Sequence, residues 1–115
     1  MVAIIIINWN GADDTIACLE SLSRMDAHHT VIVGDNGSTD DSVRRIGQWL
    51  DENAAAPNVG GYKLVELGKN YGFAVGNNKA LAVAMQDNPD YCMLLNNDTE
   101  VEPDMLSKLL DYASA

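Results

Sequence analysis

The sequence predicts an α/β protein: a mainly parallel sheet with helices on both faces, in a three-layer α/β/α arrangement. Three observations predict it. Four short apolar segments alternate with four segments of helical periodicity, in the order β-α-β-α-β-α-β-α. The first of them, residues 2–7, is an almost unbroken β-branched run, the pattern of a strand buried on both faces. Strands that alternate with helices imply right-handed crossovers and therefore parallel pairing. The chain has 115 residues, which makes it one small domain. It shows no internal repeat and no linker.

The elements follow in order. Residues 2–7 form the first strand, broken by Asn8-Trp9-Asn10-Gly11. A helix over 13–25 comes next. Asp13 and Asp14 suit its positive N-terminus, and Ile16, Leu19, Leu22 and Met25 fall on one face. Residues 30–33 form a short second strand that runs into Gly34-Asp35-Asn36-Gly37-Ser38-Thr39-Asp40, turn chemistry followed by capping residues. The second helix ends near Leu50, with Val43, Ile46 and Leu50 inward. Residues 53–61 read as a polar loop, and 62–67 alternate as a third strand. A turn at 68–72 leads to an Ala- and Leu-rich helix over 73–86, ended by Asn88-Pro89-Asp90. Tyr91–Leu95 is the fourth strand. Pro103 opens the last helix, where Met105, Leu106, Leu109 and Leu110 form the buried stripe.

Composition removes whole classes of function. Seven Lys and Arg stand against 17 Asp and Glu, a net charge of −10. Such a chain repels nucleic-acid phosphates and anionic membrane surfaces. Residues 2–7 are far shorter than the roughly 20 apolar residues of a membrane span. They also lack the basic flank and cleavage site of a secretory signal. A cytoplasmic location is the expectation, and neither Asn36-Gly37-Ser38 nor Asn97-Asp98-Thr99 reads as a glycan acceptor. The two cysteines, Cys18 and Cys92, are expected to be reduced core thiols. His28 and His29 are adjacent, without zinc spacing, and are expected in an exposed loop.

In sheets of this kind ligands bind at the carboxyl ends of the strands. The polar segments 8–11, 35–40, 68–72 and 96–100 belong there. A βα turn accounts for any one of them alone. Together they describe a crevice of amides and carboxylates with almost no basic residues. That composition suits a ligand held by hydrogen bonds and a metal rather than by direct charge pairing. The glycine fingerprint of a dinucleotide site should follow the first strand, and Asn8-Trp9-Asn10-Gly11 is not it. A phosphate-cradling loop with Lys-Ser/Thr is also absent. A phosphoacceptor receiver domain would need an acidic pair after the first strand and a fifth strand followed by Lys.

Four motifs, in order, resemble those of the family 2 glycosyltransferases, inverting enzymes of the Rossmann-like GT-A fold. Residues 2–11 resemble the first strand with its Asn-aromatic-Asn turn. Val33-Gly34-Asp35-Asn36-Gly37-Ser38-Thr39-Asp40 resembles the second-strand acidic pair with Gly, Ser, Thr and Asp. Asn70-Tyr71-Gly72-Phe73-Ala74-Val75-Gly76-Asn77-Asn78 resembles the Asn-x-Gly-Phe-Ala segment. Leu94-Leu95-Asn96-Asn97-Asp98-Thr99-Glu100-Val101 resembles the metal-binding Asp-x-Asp region, with Pro103-Asp104 beyond it. The Asn-rich variants look most like the rhamnosyltransferase-like branch.

The resemblance implies a nucleotide-diphosphate sugar donor, dTDP- or UDP-linked, held with Mg²⁺ or Mn²⁺. By the same resemblance Asp98 is the metal ligand and Asn97 meets the ribose. Asp35 and Asn36 face the nucleobase, with Asn8 and Asn10 beside it, while Asn70 and Asn78 lie near the donor. It further implies a sheet order of 3-2-1-4. Two departures, Asn36 and Asn96, replace acidic positions and reduce the charge available to hold metal. A complete domain of this family is about twice as long, and its second half carries the glycan acceptor site and the catalytic base. Residues 1–115 therefore read as the donor-binding half, with no catalytic residue assigned. Asp104 and Asp111 read as helix-surface carboxylates. A half-domain is expected to leave an apolar sheet edge open to self-association, and the full-length enzyme is expected peripherally at the inner membrane. The alternative is a non-catalytic α/β nucleotide-binding or interaction module.

Overall fold

The computed structural model describes residues 1–114, so the helix end expected at Ala115 lies outside the described residues. The elements are β1 (Val2–Asn8), α1 (Ala12–Ser23), β2 (His29–Asp35), α2 (Ser42–Glu52), β3 (Val59–Glu66), α3 (Phe73–Met85), β4 (Tyr91–Leu95) and α4 (Met105–Ser114). They form one four-stranded sheet in the order β3-β2-β1-β4. All three pairings are parallel, as the alternating element order requires.

The pleat of β1 divides the core. Val2, Ile4 and Ile6 face a cluster that holds Leu19 and Leu22 of α1, Ile46 and Leu50 of α2, and Leu106 of α4. Ala3, Ile5 and Ile7 face the other way, onto Ala80 and Ala84 of α3. Ile4, Ile5 and Ile6 are fully buried, each contributing about 2 kcal/mol of apolar burial. This is why β1 is central and reads as an unbroken apolar run. Each crossover helix needs only one apolar stripe, because its outer face meets solvent.

Several expectations need correction. β2 begins at His29, which is buried rather than exposed; only His28 is at the surface. His29 opens the ladder opposite Val2, and its Nδ1 bonds the Ala27 carbonyl at 2.8 Å. β3 takes in residues 59–61, which the sequence assigns to a loop, because pairing with β2 extends to Val59 through a register shift at His29/Thr30. Cys92 is exposed, while Cys18 is buried and both are free thiols. Cys92 lies on β4, an edge strand, and Leu94 beside it is 51% exposed. Leu109, expected in a buried stripe, is 47% exposed. It lines a cleft of about 680 Å³ with Leu95, Val101, Met105 and Tyr112. Among the described residues no helix is long and apolar enough to cross a membrane.

Candidate functional site

Parallel strands put all four carboxyl ends on one edge. Asn8 of β1 is in register with Asp35 of β2, which in turn pairs with Glu66 of β3; Leu95 of β4 sits one step back, beside Ile6. Residues distant in sequence therefore converge at this edge.

Asn8 is fully buried and lies at the centre. Its Nδ2 donates to Asp35 Oδ1 at 3.0 Å and to Ser38 Oγ at 3.2 Å. Its Oδ1 accepts from Thr15 Oγ1 at 2.7 Å. Thr15, in the first turn of α1, is also fully buried, and its Oγ1 accepts from Asn97 Nδ2 at 3.1 Å. A run of side-chain hydrogen bonds thus crosses the edge from the turn after β4 to the end of β2. The crossing is tight at Gly11: a Cβ there would stand 3.1 Å from Asn97 Nδ2, closer than ordinary contact.

Asp35 is only 2% exposed. Besides Asn8 it accepts from Ser38 Oγ at 2.6 Å and from Ser38 N–H at 2.9 Å. The Ser38 hydroxyl in turn accepts from the Asn10 N–H at 3.0 Å. Asn10 has φ of 47°, a left-handed conformation that Asn tolerates better than most residues. Its Oδ1 accepts from Thr39 N–H at 2.8 Å, which ties the turn after β1 to the turn after β2.

Asn36, 3% exposed, performs the same task one strand further out. Its Nδ2 donates to Asn70 Oδ1 at 3.3 Å and to the Gly72 carbonyl at 3.1 Å, and its Oδ1 accepts from Tyr71 N–H at 3.1 Å. The loop before α3 is thereby fastened to the end of β2. Gly37, at φ of 79°, lies against the same loop, where a Cβ would come within 2.5 Å of the Lys69 backbone. Lys69 and Lys79 both lie over the Tyr71 ring, at 4.9 and 4.4 Å. The edge therefore carries two basic side chains, Lys69 of the turn itself and Lys79 of α3.

The residues singled out from sequence fall into two groups. Asn8, Asn10, Asp35 and Asn97 are joined by hydrogen bonds directly or through Thr15, Ser38 and Thr39, Asn36 is bonded to Asn70 and Tyr71, and the Asn36 N–H on the Asn8 carbonyl at 2.8 Å links the two sets. Asn78 and Asp98 stand apart as exposed side chains. Beside Asn78, the preceding Asn77 is buried, with Nδ2 donating to the Phe73 carbonyl at 3.0 Å and Oδ1 unpartnered. Thr15 and Ser38 were missed as organisers. The available signal for Thr15 was a polar residue beside Ile16 and Leu19 on the inner face of its helix. Asp98 and Glu100 lie close enough to α1 to act on Cys18: burial foremost, then these two carboxylates, push its thiol up to about 12. Among the described residues no three His, Cys, Asp or Glu side chains converge as a metal cage. Asp104 is engaged by Lys108 at 2.9 Å, the i,i+4 pair of a helix surface.

The description "Glycosyl transferase family 2" fits residues 3–115, nearly the whole chain. The chain belongs to glycosyl transferase family 2. Two solved structures share the fold of this family 2 chain. The mannosyltransferase PcManGT from Pyrobaculum calidifontis, in complex with GDP-Man and Mn²⁺, superposes with a TM-score of 0.82 at 20% identity over 99% of this chain. S. aureus TarS 1-349 superposes with a TM-score of 0.75 at 18% identity over 98% of this chain. The family 2 chain spans 32% of the length of each. No curated protein matches it at a significant level.

Proposed function

We propose that this chain binds a nucleotide-diphosphate sugar together with a divalent cation, as the donor-binding part of an inverting glycosyltransferase in the rhamnosyltransferase-like branch. The observation that carries the proposal is the bonded run Asn97–Thr15–Asn8–Asp35, which joins the β4 turn to the β2 end within a family 2 frame. In this reading the base lies at the β2 end. Among the described residues Asp35 Oδ2 accepts only the Ser38 N–H, so a lone pair remains for the ring N–H of a uracil or thymine. Asn8 and Asn10 hold that end in shape, and Asn36 fastens the loop carrying Asn70. Asn78, exposed on α3, is assigned to the donor, and Asn97 to the ribose.

The residues fit a cation in one specific way. Asp98 is exposed and carries no ion pair or hydrogen bond among the described residues. One protein carboxylate is a common complement for Mg²⁺ or Mn²⁺ when phosphates and water supply the other oxygens. The described residues offer no cage by themselves, so in this reading metal and nucleotide bind together. When bound, the cation offsets the charge that builds on the diphosphate leaving group. The mannosyltransferase neighbour, in complex with GDP-Man and Mn²⁺, supports this pairing by analogy. Acceptor binding and deprotonation are assigned to polypeptide beyond this chain, which spans about a third of its neighbours. Transfer to a polysaccharide at the cytoplasmic side of the inner membrane is the matching biology. The open β4 edge is the surface for self-association.

Calorimetry with UDP, dTDP and GDP, in Mn²⁺ and then in chelator, tests the proposal. Two like charges at 5 Å cost roughly 3 kcal/mol at an effective dielectric near 20, or about a hundredfold in affinity. Binding in Mn²⁺ should exceed binding in chelator by about that factor, and Asp98→Ala should abolish the difference. Equal binding in both conditions removes the metal role of Asp98. A wild-type chain that binds none of the three supports the alternative of an interaction module.

A further inference from the structure

We propose that Thr15 is a positioning residue: it carries the hydrogen-bond direction imposed by Asp35 across the edge to Asn97, so that Asn97 turns its carbonyl oxygen toward the ligand. The inference rests on the donor-site reading above and assigns a role to a residue outside its ligand contacts.

The direction follows from counting protons. Asp35 Oδ1 already accepts from Ser38 Oγ, so Asn8 must face it with its amide nitrogen, as it does at 3.0 Å. The reverse orientation would set an Asn8 oxygen against a carboxylate oxygen. With its nitrogen so committed, Asn8 turns its Oδ1 to Thr15 and accepts the hydroxyl proton at 2.7 Å. A threonine hydroxyl has one proton and two lone pairs. Having donated to Asn8, Thr15 can only accept from Asn97, and Asn97 must present Nδ2, as it does at 3.1 Å. Asn97 Oδ1 therefore faces away from the run. It is left as an acceptor, the group a sugar hydroxyl needs. All members from Asn8 to Thr15 are shut off from water, so no solvent molecule competes to reverse the order.

The geometry leaves little slack. Gly11 brings the α1 turn against both Asn97 Nδ2 and Asn8 Oδ1, which a Cβ would meet at 3.1 and 3.6 Å. The Gly11 carbonyl accepts the Thr15 N–H at 3.0 Å, so the backbone that carries Thr15 is fixed at the same point.

Two readouts test this, one without ligand. In ¹⁵N-labelled chain, Ser38→Ala removes a donor to Asp35 and an acceptor for Asn8. The Asn97 side-chain amide signals should shift in response when Thr15 is intact or replaced by Thr15→Ser. In Thr15→Val they should not respond. Asn97 signals that ignore Ser38→Ala in the wild-type background, or that respond equally in Thr15→Val, overturn the proposal. Should Thr15→Val fail to fold, Asn97→Asp offers Thr15 an acceptor in place of a donor, and the Asn8 amide signals should shift as the hydroxyl proton turns. Unmoved Asn8 signals overturn the proposal equally.

The second readout is UDP affinity in Mn²⁺. Thr15→Val should weaken it about fivefold, the equivalent of one hydrogen bond, and Thr15→Ser should restore it. In an Asn97→Ala background Thr15→Val should cost nothing further. Additive losses overturn the proposal, since a merely structural Thr15 would act regardless of Asn97. A relay seen by resonance in a chain that binds none of UDP, dTDP and GDP supports the hydrogen-bond direction and refutes the donor-site reading.

Discussion

Replacing Asn36 with aspartate would restore an acidic pair after the second strand, yet it should destabilise the protein. Asn36 is 3% exposed and uses its Nδ2 twice, on Asn70 Oδ1 and on the Gly72 carbonyl. Asn36→Asp turns both contacts into oxygen facing oxygen. Two lost bonds cost about 1 kcal/mol each, and the buried carboxylate oxygen that replaces Nδ2, left without a donor, adds on the order of 1–3 kcal/mol. The strengthened bond from Tyr71 N–H returns part of this. A net loss near 3 kcal/mol would lower the thermal midpoint of a domain this size by on the order of 10–20 °C. The loss depends on pH. Burial and the neighbouring Asp35 raise the new carboxyl above its unfolded value of about 3.9. The variant then binds a proton more tightly when folded, so the penalty from this carboxyl is smallest below about 3.9 and grows as pH rises through the folded value. Urea unfolding of wild type and Asn36→Asp at about pH 7.5 and about pH 4.5 reads both effects. A deficit below about 0.5 kcal/mol at the higher pH, within the range of an ordinary surface change, would refute the reasoning. So would a deficit that does not shrink in acid.

Three further outcomes are expected. Burial holds His29 below its ordinary value of 6.5, ahead of its other influences. Its neutral form thus contributes stability present above 6.5 and lost as pH falls through the folded value; in His29→Phe, urea midpoints should lose that part of their acid dependence. A thiol reagent should label one cysteine in the folded protein, because Cys92 is exposed while the Cys18 thiol is buried and pushed up to about 12. Labelling of both at equal rates would contradict the packing of α1. Gly37→Ala should cost more than about 1 kcal/mol in a thermal melt, since φ of 79° is strained for alanine and its Cβ would meet backbone rather than a movable side chain.

The fold was legible because its strongest signals are local. The β-branched run of β1, the stripes of α1 and α2, and the turn residues between them each state their element without reference to the rest. What pairing decides was not legible. Nothing in Thr30 or His29 announces that the ladder with Val2 starts one residue earlier, and once it does, His29 is carried inside. β4 poses the converse problem. Tyr91–Leu95 is as apolar as a central strand, yet β4 lies at an edge and Tyr91 is 46% exposed. An apolar run records only that burial is wanted, and cannot say whether the covering surface lies within these residues.

The candidate site divides along the same line. Motif positions could be read from sequence because parallel strands send every turn to one edge, whatever the partners. Thr15 and Ser38 could not, since their importance comes from which amides they meet. The bonds also give the abundance of asparagine a physical reason. Asn8, Asn10 and Asn36 each donate from one end of the amide and accept at the other. A carboxylate can only accept, so a run of carboxylates at these positions could not be closed. With amides the run needs just one carboxylate, Asp35, to receive its donors and fix its direction. Asp98 then remains as an exposed carboxylate at the far side of the edge. In a chain of net charge −10, that economy keeps carboxylates few along the edge; under the proposed function it would let a diphosphate enter with its cation, where a lining of aspartates in place of these amides would oppose it at every position.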